Sequence, residues 1–300
     1  MAGESAIAPR QGATGPAQTA SSQTQTVVDR VSIAERAADV RSFLFVPGTR
    51  PDRFDKALQS GADMVCVDLE DAVAPPLKEG ARAGGVAYLS GHESGPLRAL
   101  RINPLSTPEG MADLLAVAKS DPNGILVLPK VDSAVEVRLA ASVLAHAGTS
   151  LPLAALVESA EGLANVHAIA AEPSLVMVIF GAVDLAAELG AELSETPMLF
   201  ARSQVVHAAR RAGVSAIDVP SLNFRDLDAV GIEAAAARAL GFTGKAMIHP
   251  TNVAPIHAAF TPSDDEVARA RTIVAAYRDS PTGLAVVDGK LVEAPVVKAA

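Results

Sequence analysis

Glu158 closes the apolar run PLAALVES, which begins at Pro152, and Asp184 closes the next such run, LVMVIFGAVD from Leu175. Carboxylates at the ends of consecutive runs could converge on one ion. Oxygen donors with no His or Cys nearby favour Mg²⁺ or Mn²⁺ over zinc, with waters and substrate filling the remaining octahedral positions. The competing assignment makes both residues helix N-caps, since Glu158 precedes SAEGLANV and Asp184 precedes LAAELG. Arg101 ends LRALR among apolar neighbours, where a buried guanidinium needs an anionic partner, either a site carboxylate or a substrate oxygen. The DLED run brings Asp68, Glu70 and Asp71 together, a repulsion that a cation or Arg101 would relieve. Asp68 suits a structural bond to a neighbouring loop, and Glu70 and Asp71 suit holding the ion's waters. Lys130 follows LVLP and is read as an ion-paired lysine, with a Schiff-base nucleophile as the alternative. His249 also ends an apolar run, with structural and substrate-facing roles both open.

These residues share one feature: each ends a short β-branched or aliphatic run. The runs are SFLFVPG from Ser42, MVCVDLED from Met64, LRALRIN from Leu97, GILVLPK from Gly124, PLAALVES, LVMVIFGAVD, SAIDVP from Ser215 and KAMIHP from Lys245. They are nearly continuous in apolar character, as parallel strands covered on both faces should be. Segments of helical period alternate with them, such as PDRFDKALQSGA, TPEGMADLLAVAKS and FRDLDAVGIEAAAARALG. Eight strands alternating with helices predict an α/β fold, a (β/α)8 TIM barrel, whose active site lies at the carboxyl ends of the strands. A doubly wound sheet would carry a glycine-rich turn after its first strand, whereas this chain has PGTRP.

The expected division is a polar, disordered tail over residues 1–30, the barrel over 31–262, and a C-terminal extension over 263–300. That extension holds a predicted helix from Ser263 to Arg278 and an apolar tail with Val286, Val287, Leu291, Val292, Val296 and Val297, which must dock on its own barrel or a neighbouring subunit.

Composition narrows the function classes. The formal charge is −9 and no long basic run occurs, so nucleic acid and anionic membrane are not expected partners. The N-terminus has no basic region followed by an apolar one, and the expected location is cytoplasmic. A single cysteine, Cys66, rules out a disulfide framework and sits in an apolar run as a core residue. Aromatic residues are only 3% and Trp is absent, so the core must be aliphatic. Six histidines without HxH or HExxH spacing argue against a histidine metal site, and no Walker loop, GxGxxG or GxSxG is present.

Taken in order, RSFLFVPGTRP (Arg41 to Pro51), GADMVCVDLEDAVAP (Gly61 to Pro75), RIN (Arg101 to Asn103), LPK (Leu128 to Lys130), Glu158 with SAEGL, GAVDLAAELG (Gly181 to Gly190) and IHP (Ile248 to Pro250) resemble one family. That family is the HpcH/HpaI aldolase and citrate lyase superfamily, in its citrate lyase beta-subunit-like branch of malyl-CoA and citramalyl-CoA lyases. The resemblance implies a Mg²⁺-dependent barrel that cleaves or forms a carbon–carbon bond in a 3-hydroxyacyl-CoA thioester, assembled as a homotrimer or hexamer. It implies Glu158 and Asp184 as metal ligands, with Glu158 and Val183 also at the substrate, and Arg101 on substrate oxygens. It also implies Phe45, Arg50 and Lys56 as holders of coenzyme A, while Glu70, Asp71 and Lys130 are expected, from their own placement, to support the metal site from behind its ligands. The branch's proton-moving Asp, supplied by an adjacent subunit, corresponds to Glu293 in GKLVEAP, one methylene longer.

The expected activity is therefore a lyase on citramalyl-CoA, malyl-CoA or citryl-CoA that gives acetyl-CoA and a keto acid. Alternatives are a thioesterase on the same substrates, a catalytically weak CoA-binding homologue, or a substrate carried on an acyl-carrier protein. A class II pyruvate aldolase is a further alternative, but that branch has a His where this chain has Asp71.

Overall fold

Each apolar run becomes one strand of a parallel barrel, and the side-chain period of two decides what the barrel mouth contains. The structure is a computed structural model and describes residues 33–91 and 95–299; the expected tail over 1–30 lies outside the described residues. The strands are β1 (Ser42–Pro47), β2 (Met64–Asp68), β3 (Leu97–Arg101), β4 (Ile125–Leu128), β5 (Leu153–Val157), β6 (Leu175–Phe180), β7 (Ser215–Asp218) and β8 (Gly244–Met247). They pair in chain order and close between β8 and β1, which is a (β/α)8 TIM barrel.

Phe43, Met64, Cys66, Ala99, Val127, Ala154, Leu156 and Ile179 pack together inside the barrel. Their neighbours of opposite parity, such as Leu44, Val65, Leu100, Leu126 and Ala155, pack outward against the helices. Two residues beyond Cys66, Ala99 and Leu156 along the inward face come Asp68, Arg101 and Glu158. The polar layer at the mouth is thus the continuation of the apolar column beneath it. At the opposite end residues 33–38 are helical and Ile33, Ala37 and Val40 join the interior cluster, closing the floor.

The helices are α1 (Phe54–Leu58), α2 (Lys78–Leu89), α3 (Pro108–Ala118), α4 (Ala134–His146), α5 (Ala160–Ala170), α6 (Ala182–Leu189), α7 (Glu195–Ala212), α8 (Leu227–Leu240), α9 (Val253–Phe260) and α10 (Asp264–Arg278). The predicted helix from Ser263 is α10, with Ser263 and Glu266 forming a reciprocal capping box. Beyond it, β9 (Ala285–Val287) and β10 (Lys290–Val292) form an antiparallel hairpin, followed by α11 (Ala294–Ala299). Hairpin and α11 pack on α10. Of the tail's apolar residues Val292 is buried, while Val286 and Leu291 remain 70% and 57% exposed. The tail therefore docks on its own C-terminal helix rather than on the barrel wall.

Candidate active site

Arg101 organises the mouth. Its Nε and Nη2 donate to the two oxygens of Asp68 at 2.7 and 2.6 Å, a bidentate pair that fixes the guanidinium plane. Asp68 Oδ1 also accepts from the backbone N–H of Glu70 at 2.9 Å, so its structural bonds go to Arg101 on the next strand and to the turn that follows Asp68 itself, where a bond to a neighbouring loop was expected. The remaining nitrogen, Nη1, lies 3.0 Å from Glu70 Oε2 as an ion pair without hydrogen-bond geometry, so that buried oxygen has no hydrogen-bond donor. The guanidinium carbon stands 5.0 Å from the centre of the Phe45 ring. Burial works against the charge of Arg101, but the Asp68 hydrogen bonds and the surrounding carboxylates outweigh it and hold the guanidinium protonated.

Glu158 and Asp184 approach the same region from adjacent strands. Glu158 Oε1 accepts from the backbone N–H of Lys130 at 2.9 Å. Lys130 Nζ lies 3.3 Å from Asp184 Oδ2, 2.5 Å from Glu70 Oε1 and 3.5 Å from Asp71 Oδ1. Burial and the charges of Glu70 and Asp184 push the Glu158 carboxyl up to about 8, against the pull of Arg101 and the Lys130 amide. Burial likewise raises Glu70, against Arg101 and Lys130. Gly181 is required here, since a Cβ on it would stand 2.3 Å from Glu158 Cβ and 2.7 Å from Glu158 Oε2.

The N-cap assignment is overturned for both carboxylates. Ser159 caps α5, its side chain accepting from the Gly162 N–H, and Gly181 precedes α6 while Asp184 sits in that helix's first turn. Both carboxylates are left for the cleft, a cavity of about 400 Å³ whose walls include Phe45, Arg101, Glu158, Val183 and Asp184. Asp71 also lines it, whereas Glu70 lies behind Arg101 and Lys130.

Other expected residues fall elsewhere. Arg50 is exposed and paired with Asp52 at 2.7 Å, and Lys56 is exposed on α1; neither lines the cleft. Arg53, midway between them in sequence, does line it and was not among the expected residues. The signal was the second Pro of PGTRP, which starts the 3-10 turn Pro51–Arg53 and redirects the side chains after β1. Glu293 is exposed between β10 and α11, outside the cleft of its own chain. His249 bonds Thr251 and stacks on Phe224 at 5.4 Å, a local structural role.

Among the described residues no group of three or more His, Cys, Asp or Glu forms a ready metal cage. Mg²⁺ does not need one, because it is held by one or two carboxylates and keeps several waters. Five carboxylates, Asp68, Glu70, Asp71, Glu158 and Asp184, face three cations, Arg101, Lys130 and Arg53 at the rim, and Glu70 Oε2 lacks a donor. This excess of oxygen and negative charge fits a hard divalent ion.

Residues 41–250 match the HpcH/HpaI aldolase/citrate lyase family. The chain is 36% identical over 267 residues to a (3S)-malyl-CoA thioesterase of Cereibacter sphaeroides, covering 87% of this chain and 92% of that one. It is 34% identical over 304 residues to an L-malyl-CoA/beta-methylmalyl-CoA lyase of the same species, covering 90% and 95%. Among solved structures, CitE of Mycobacterium tuberculosis in complex with magnesium, acetoacetate and coenzyme A superposes with a TM-score of 0.74 at 33% identity, covering 88% of this chain and 96% of that one.

Proposed function

The chain belongs to the HpcH/HpaI aldolase/citrate lyase family, and from that premise we propose that it is a divalent-cation-dependent carbon–carbon lyase acting on a short 3-hydroxyacyl-CoA thioester. Malyl-CoA, citramalyl-CoA and citryl-CoA are the substrates in view, each yielding acetyl-CoA and a keto acid. The observation that carries this reading is the convergence of Glu158, Asp184 and Arg101 on one cleft. Glu158 and Asp184 would hold the cation, Mg²⁺ or Mn²⁺, which when bound supplies a Lewis acid for the hydroxy-acid end of the substrate.

The chain's own residues account for the rest. In the cleavage direction the bond between the hydroxyl-bearing carbon and the thioester's α-carbon breaks. The alcohol becomes a carbonyl as its proton passes to water in the cleft, and the electron pair of the broken bond passes into the thioester as an enolate. Arg101, kept charged and held flat by Asp68, is placed to stabilise that enolate oxygen. Glu70 stands behind Arg101 and braces it, with Lys130 bracing Glu70. Phe45 and Val183 form apolar walls that limit water. The enolate carbon then takes a proton, the task proposed for Glu293; since Glu293 lies outside its own cleft, a neighbouring copy must deliver it. Arg53, at the rim, is a better placed cation for a coenzyme A phosphate than Arg50 or Lys56.

Hydrolysis of the same thioester is the second reading, favoured by the relative named (3S)-malyl-CoA thioesterase. A Schiff-base route through Lys130 is disfavoured, because Glu70 and the neighbouring carboxylates hold its amine protonated. Incubation of malyl-CoA and citramalyl-CoA with protein and Mg²⁺ separates the readings. Keto acid with acetyl-CoA supports the lyase, free CoA thiol without keto acid supports the thioesterase, and neither product overturns both.

A further inference from the structure

Lys130 stands two residues past β4 with φ +49°, in the left-handed region that a lysine enters only when its surroundings hold it there. The neighbouring Val131 N–H is tied to Leu156 O at 3.2 Å, which anchors this turn to β5. In that conformation the backbone and side chain of Lys130 serve different partners. Its N–H donates to Glu158 Oε1, while its ammonium lies 3.3 Å from Asp184 and 2.5 Å from Glu70. One residue thus touches both carboxylates assigned to the cation, one through a peptide dipole and the other through a full charge.

The two ammonium contacts are unequal. The Glu70 contact is short and its partner is buried, whereas the Asp184 contact is long and both side chains are more than a third exposed. Rotation about the outer bonds of the lysine stem would carry the ammonium off Asp184 while leaving the backbone bond to Glu158 unchanged. A compact, rotatable point charge can make that exchange, and a planar guanidinium cannot make it as readily.

We infer that Lys130 is a built-in placeholder cation: its ammonium holds Asp184 and Glu70 together in the metal-free protein and must release Asp184 when a divalent cation binds. The inference rests on the proposed assignment of Glu158 and Asp184 as ligands. Lys130 is then a positioning residue whose charge weakens the site's grip on the ion and keeps the ion exchangeable. Its loss should tighten metal binding, whereas loss of a residue that only scaffolds the site should loosen it.

Mn²⁺ titration followed by electron paramagnetic resonance, with no substrate present, tests this on the wild type, Lys130→Met and Lys130→Arg. Lys130→Met is expected to bind Mn²⁺ on the order of tenfold tighter, as removal of a like charge at this range implies. It should also melt at a lower temperature without metal and recover when Mn²⁺ is added, and Lys130→Arg should keep the weaker affinity. Should Lys130→Met not fold, Lys130→Gln carries the same expectation. Wild-type binding that neither neutral variant strengthens overturns the inference alone. A wild type that binds no Mn²⁺ overturns the metal assignment and the inference with it.

Discussion

Two charged clusters stand at the carboxyl ends of the strands, sharing the wall formed by Val219 and Pro220. In one, Asp218 is met by Lys245 Nζ at 3.0 Å and by Arg202 Nε at 3.1 Å, and Lys245 also reaches Val219 O at 2.7 Å and Glu233 Oε2 at 3.4 Å. Asp218 and Glu233 thus face Lys245 and Arg202, beside a cavity of about 270 Å³ that Glu195 also borders. In the other, at the barrel mouth, five carboxylates face Arg101, Lys130 and Arg53 at the rim, and Glu158 is driven up to about 8. The difference begins with strand parity. Ile217 and Ala246 point into the barrel, so Asp218 and Lys245 point out toward α7 and α8. Asp68, Arg101 and Glu158 have the inward parity and meet at the axis. Matched charges facing the helices hold the fold, and unmatched charges at the axis leave room for a cation and a substrate.

The sharpest way to break this comparison is to remove one partner from each cluster. Lys245→Met leaves the buried Asp218 with Arg202 as its one cationic partner and should cost about 3–5 kcal/mol in chemical denaturation. A loss under about 1 kcal/mol would show that the outward cluster is not structural. Arg101→Lys cannot reproduce the bidentate bond to Asp68 and should lower kcat by about 100- to 1000-fold with the circular dichroism unchanged. Full activity in that variant would remove Arg101 from the chemistry.

The imbalance at the mouth also sets a pH dependence. In the metal-free protein Glu158 holds its proton up to about 8, whereas the unfolded chain releases it near 4.5. Over that window the native state binds more protons at Glu158, so this group's contribution to stability is fully present below about 4.5 and is lost as pH rises toward 8. Melting temperatures across the window should decline in the wild type and decline less in Glu158→Gln, and Mg²⁺ should reduce the wild-type decline. A slope that Glu158→Gln leaves intact would place the titration elsewhere. The smallest effect belongs to Arg50→Ala, which removes only an exposed pair with Asp52 and should leave the melting temperature unchanged. Any larger effect confined to KM for the thioester would return Arg50 to the substrate.

The barrel was legible because eight nearly continuous apolar runs alternate with helical segments, and its polar layer because Asp68, Arg101 and Glu158 stand at run ends, where the structure continues the inward parity of Cys66, Ala99 and Leu156. The N-cap alternative for Glu158 and Asp184 failed because Ser159 and Gly181, one and three positions away, already occupy the helix starts. Three cations, Arg50, Arg53 and Lys56, crowd the segment after β1, and spacing alone could not say which one the 3-10 turn aims at the cleft. The left-handed backbone of Lys130 had no signature either, since residue type favours glycine there and the constraint comes from Glu158 on the next strand. Nor could pattern place Glu293, whose hairpin is held by α10 rather than by the barrel.

The central claim is that Glu158 and Asp184 grip the same cation, and Mn²⁺ binding to Glu158→Gln, Asp184→Asn and the double variant tests it most directly. One ion per chain is expected in the wild type, with each single variant losing about 100-fold in affinity and the double variant losing little more, as two groups acting on one ion require. Undiminished binding by the variant that lacks both carboxylates would contradict the account.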